Sequence, residues 1–227
     1  MEEPGPDTET RARRISVGPS AAVAALVSSV AILIIQQQLN ADFGVAYPLF
    51  SYGNEVVAAD LLGCVIPLVA CALLFGYVII RATNEGRPLP FRSPALWLSM
   101  VAISFVSVIV FTLASGIYGG LGIPISWARG TVAVGSTGGA VYGATLGRAR
   151  NAIESASECY VIGALAMLLG DVIRTFTGLV SGPVVVWGGG GALDLLLWFG
   201  AYMATASSCY RIVQPRVQAR MARLYRK

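Results

Sequence analysis

The chain is predicted to be all-α: a polytopic membrane protein with six transmembrane helices and both termini cytoplasmic. Three observations lead there. Of its 227 residues, 56% are hydrophobic and only 12% charged, and the mean hydropathy is +0.69. Apolar runs of the ~20 residues needed to cross ~30 Å of hydrocarbon recur along it. The basic residues, 16 against 12 acidic ones, gather in links and at the ends, where the positive-inside rule puts them. The net charge of +4 comes almost wholly from arginine, with Lys227 the only lysine. In a membrane chain that reports topology and anionic lipid contact, not nucleic acid.

Residues 1–18 are polar and proline-bearing, and read as a disordered cytoplasmic tail. Arg11, Arg13 and Arg14 then precede an apolar run from about Ser20 to Leu39. Gln36, Gln37 and Gln38 close that run without a small-residue cleavage pattern, so it reads as a retained first span. The loop Asn40 to Glu55 has acids but no arginine, and its Tyr47, Phe50 and Tyr52 suit an interface belt. A second span follows from about Val56 to Ile80. Asp60 sits one turn inside its outer end, in a solvated or capping role, and Pro67 is expected to kink it. Cys64 and Cys71 share one helix face as small core residues.

The link Arg81 to Pro94 carries three arginines, Arg81, Arg87 and Arg92, and reads as cytoplasmic. A third span runs from about Ala95 to Gly119. The glycine-rich segment Thr131 to Gly147 either spans or re-enters. Charge decides for a span: without it, Arg211, Arg216, Arg220, Arg223, Arg226 and Lys227 would face outward. Six spans therefore fill residues 19–213, and 214–227 reads as a basic amphipathic helix on the inner leaflet.

The last two spans carry the functional candidates. Between Glu158 and Val213, two apolar runs flank the turn at Gly182, each with one acid, Asp171 and Asp194. The acids lie about eleven residues before and about twelve after the turn, so ~1.5 Å of rise per residue puts both ~16–18 Å below it. An aspartate at mid-span costs ~2.5–3.5 kcal/mol, and such residues usually face protein or water and act there. Two close carboxylates would share a proton. Arg174, three residues after Asp171, could instead neutralise it as a structural ion pair. Gly188, Gly189, Gly190 and Gly191 weaken the helix beside Asp194, either exposing backbone to a solute or allowing close packing.

The string Pro183 to Gly200, PVVVWGGGGALDLLLWFG, with Leu168 to Asp171 before it, resembles the end of an uncharacterised prokaryotic membrane family. That domain-of-unknown-function group carries a glycine-rich stretch ending in Asp in its last span. The matching positions are Pro183, Val184, Gly188, Gly189, Gly191, Asp194 and Gly200, with Gly170 and Asp171. Ala192 and Leu193 depart from the family's small polar residue and aromatic. The resemblance implies a multi-span membrane fold without assigned activity. Intramembrane GxGD aspartyl proteases are similar in pairing two aspartates, but Leu193 precedes Asp194 and Leu168 replaces the first glycine before Asp171. The trimeric cation-channel family's Gly-Gly-Gly-x-x-Arg-Asp stretch is approached by Gly188 to Asp194, with Leu193 where the arginine belongs.

The chain contains no histidine, which excludes His-ligated haem, His-bearing zinc sites and Ser-His-Asp catalysis within it. Its four cysteines form no CxxC, so no metal knuckle is indicated; no cofactor and no metal are expected. The expected function is transport of a small solute or ion by a multi-pass cell-membrane protein. Asp171, Asp194 and Asp60 would be the ion- or proton-binding acids, Arg174 would tune them, and Gly188 to Gly191 would give backbone access. The expected partners are the bilayer, with anionic lipid at the C-terminal tail, and self-association is left open. An intramembrane aspartyl protease, or a non-catalytic membrane subunit or assembly factor, are the alternatives.

Overall fold

A computed structural model describes residues 45–89, 94, 97–106, 108–109, 152–179, 183–188 and 195–224. Its elements are strands β1 (Ala46–Tyr52) and β2 (Glu55–Asp60), a π-helical turn Leu61–Val65, helix α1 (Ile66–Asn84), a short apolar helix α2 (Trp97–Val106), helix α3 (Ala152–Phe176), strand β3 (Val184–Trp187) and helix α4 (Leu195–Leu224).

The all-α, six-span expectation is overturned on two counts. The three strands form one sheet in the order β1-β2-β3, built from residues expected in an outer loop and at the outer ends of two spans. Its hairpin is closed by Gly53-Asn54, with Tyr52 paired to Glu55 and Gly53 at φ +60°, the glycine-first geometry of a two-residue turn. Val184 to Val186, β-branched and therefore at home in a pleated sheet, pair in parallel with Val56 to Ala58 instead of starting a helix. Secondly, among the described residues only two helices are long and apolar enough to cross a membrane, Leu61–Asn84 and Ala152–Phe176. The first and fourth expected spans lie outside the described residues, and so does most of the third beyond α2. α4 is too polar over its length to qualify.

Pro67 does not kink a span interior. It is the second residue of α1, in the first helical turn, directly after the π turn. Pro215 does not end a helix either: α4 continues through it to Leu224, so the basic tail is an extension of the last helix and not a separate one.

α3 and α4 form the most extensive helix pair, and they run antiparallel. Gly200 lies against Gly163 and Ser207 hydrogen-bonds Ser155, so partners descend on α3 as positions rise on α4. Ser208 Oγ donates to Ala152 O at 3.2 Å beyond them. Tyr160, Met203, Phe199, Cys159 and Cys71 fill the core between these helices and α1. α2 docks on α3 through buried Ser104, whose hydroxyl reaches Ala166 O at 2.7 Å. The bundle thus has a sheet end and an arginine end. α1 leaves the sheet end for Arg81 and Asn84, and α3 returns so that Phe176 stacks on Phe50 of β1.

The α3–α4 seam depends on absent side chains. A Cβ on Gly163 would come 2.7 Å from Met203 Sδ and 3.1 Å from Gly200 Cα. Gly163→Val is therefore expected to pry the helices apart and to cost ~1–3 kcal/mol by overpacking, read as a lower unfolding midpoint in detergent. At Gly170 the added carbon would meet Val108 at an ordinary 3.6 Å, and Gly170→Ala should stay near wild type.

Candidate functional site

Four of the sequence-derived candidates, Asp60, Asp171, Arg174 and Gly188, converge at the sheet end. Asp60 is the last residue of β2 and is 1% exposed. Its Oδ1 accepts from Gly63 N at 2.7 Å, capping the π turn that opens the first apolar helix. A carboxylate there satisfies a backbone donor that would otherwise be buried without a partner. Of the solvated and capping roles expected for it, the structure shows capping.

Gly188 follows β3 and turns at φ +71°. A Cβ at that position would fall 2.5 Å from Gly63 C and 2.7 Å from Cys64 N. The glycine thus lets one backbone lie directly on another, which only a residue without a side chain permits. Its amide donates to Asp171 Oδ2 at 3.3 Å. Asp171 Oδ1 also faces Arg174 Nη1 at 3.7 Å, with both side chains partly exposed. One turn further on, Thr175 Oγ1 donates to Asp171 O at 2.8 Å and accepts from Trp187 Nε1 at 2.9 Å. Asp171 lies in the last two turns of α3, not at mid-span as the even-depth geometry assumed, because α3 ends at Phe176 and β3 occupies the chain beyond. Asp194, Gly189, Gly190 and Gly191 lie outside the described residues.

A second charged cluster occupies the arginine end, and sequence reasoning missed it. Glu154 and Glu158 are one turn apart on α3 and are 1% and 2% exposed. Glu154 is held by Arg87 in a short ion pair. Arg87 also reaches Glu85 at 2.7 Å, and Glu85 meets Arg81 at 3.1 Å. Arg81 holds the Glu85 carboxyl below the usual carboxylate range. Glu154 in turn raises the Arg87 guanidinium above its ordinary value. Glu158 has Glu154, Arg211 and Arg87 as its charged neighbours, yet among the described residues no hydrogen bond to its carboxylate is found. The available signal was spacing: two acids four apart at the start of an apolar helix share one face.

Cys64, Cys71 and Cys159 are buried, and none of the four cysteines is in a disulfide. Among the described residues no group of three or more His, Cys, Asp or Glu side chains comes together for a metal ion. An open groove of about 400 Å³ lined by Tyr77, Ile80, Arg81, Asn84 and Glu85 lies at the arginine end; none of the buried acids lines it. No family model, curated protein or solved structure matches the chain, so function has to be inferred from its own geometry.

The sheet-end contacts separate by substitution. Gly188→Ala should be severe, because it adds the clash with Gly63 to the ~1–2 kcal/mol cost of a left-handed non-glycine residue. Asp171→Ala should cost ~1 kcal/mol through loss of the acceptor, and Asp171→Asn less, since it keeps one. Hydrogen exchange at the Gly188 amide, with unfolding midpoints alongside, checks this order.

Proposed function

We propose that this chain is a multi-pass protein of the cell membrane that moves a small solute or ion, with Glu158 as its proton- or cation-binding acid. Two helices long and apolar enough to span support membrane placement. The assignment to Glu158 is supported by elimination. Asp60 caps Gly63, Asp171 serves Arg174 and Gly188, and Glu154 is bound by Arg87. Glu158 is left buried in an apolar helix beside a second acid, with Arg211 as counter-charge. An ionisable group kept in that setting, with no hydrogen bond to it among the described residues, is a candidate for carrying charge or a proton. Arg216, Arg220 and Arg223 project along the exposed end of α4, where contact with anionic lipid contributes ~1 kcal/mol per basic residue.

A non-catalytic subunit or assembly role is the second reading, favoured by the structural use of Asp60, Asp171 and Glu154. The protease alternative needs Asp171 to share a proton with Asp194, and the Arg174 ion pair counts against that.

Proton flux driven by a pH gradient in proteoliposomes tests the transport proposal. Glu158→Gln, nearly isosteric, should reduce flux to that of empty vesicles while Asp171→Asn retains it. No flux from wild type, or undiminished flux from Glu158→Gln, would remove Glu158 as the proton carrier and favour the subunit role.

A further inference from the structure

We propose that the three-stranded sheet is a membrane-surface device: its aromatic rim inserts into the headgroup layer of the same bilayer that the two apolar helices cross. This rests on those helices spanning. The first support is covalent. Asp60 ends β2 and Leu61 begins the apolar helix with no residue between them, and Leu61 N also bonds Val45 O at 2.9 Å. Phe176, last in α3, stacks on Phe50 and meets Tyr52 edge-on at 4.8 Å. The junction of β2 with the first apolar helix has no linker that could lift the hairpin away from the mouth of that span.

The second support is what the sheet exposes. Every residue of β1 is exposed, and Ala46–Tyr52 contains no charge. Tyr47, Leu49, Phe50, Tyr52, Phe176 and Val184 are 40–53% exposed. Exposed apolar side chains in this number at one end of the molecule mark a contact face.

Backbone chemistry then sets the depth. Among the described residues β1 is an edge strand, paired with β2 alone, so one row of its N–H and C=O groups has no strand partner there. Such an edge is not tolerated in hydrocarbon, whereas hydrated headgroups can satisfy it. Tyr and Trp, apolar bodies with polar tips, favour the same layer. The occupant is therefore lipid headgroup and upper acyl chain.

The test uses the full chain in vesicles of phosphatidylcholine and phosphatidylglycerol. Nitroxide labels are placed singly at Leu49→Cys, Tyr52→Cys and, on α1, Leu73→Cys, in a Cys209→Ser background that leaves only buried thiols. Collision with oxygen and with an aqueous nickel complex reports depth. The expected result is a lipid-buried label at Leu73 and shallow, interfacial labels at Leu49 and Tyr52. Water-like exposure at Leu49 and Tyr52 with Leu73 still in lipid overturns this proposal alone. Shielding of Leu49 from both reagents, or spin–spin broadening between copies, overturns it in favour of a protein occupant. A water-exposed Leu73 overturns the spanning helices as well.

Discussion

The backbone contact between Gly188 and Gly63 holds the sheet end together. It brings the end of β3 onto the π turn that joins β2 to the first apolar helix, and the Gly188 amide then reaches Asp171 on α3. Three parts of the chain that are remote in sequence meet at that point. The parallel β2–β3 pairing, the Trp187–Thr175 bond and the Phe50 contacts all follow from it. A side chain on Gly188 would separate the layers.

Much of this was legible in the residues. The buried Cys64 and Cys71, the ion pair between Asp171 and Arg174 as one of two readings, and the antiparallel pairing of the last two apolar runs were all accessible from spacing. The strands were not, because Val56 to Ala59 and Val184 to Val186 are apolar on both sides and continue into or precede apolar runs. Short apolar runs do not distinguish a buried strand from a helix by period alone. The Gly53-Asn54 turn was the usable signal, a two-residue hairpin loop with alternating aromatics before it. The parallel pairing could not have been found locally, since its partners lie far apart in sequence.

The acids show the same division. A search for intramembrane charge looks for isolated aspartates in long apolar windows, and so lands on Asp171 and Asp194. Glu154 and Glu158 sit where the helix begins, in a position that resembles a solvated helix start. Packing against α4 and capture of Glu154 by Arg87 from the α1 link bury that start. Burial of a helix terminus is a tertiary property, and no local pattern encodes it.

The parallel pairing of β2 with β3 also bears on biogenesis. The paired residues are 128 positions apart in the chain, so the long-range contact must wait for everything between them. During synthesis the β1–β2 hairpin and the helix after it leave the ribosome long before Val184 does. β2 therefore carries an open edge while later segments are made, and the sheet is completed only after α3 has been laid down. A chain truncated before residue 184 would keep that edge, together with an uncovered Gly63, and would be a natural substrate for membrane quality control.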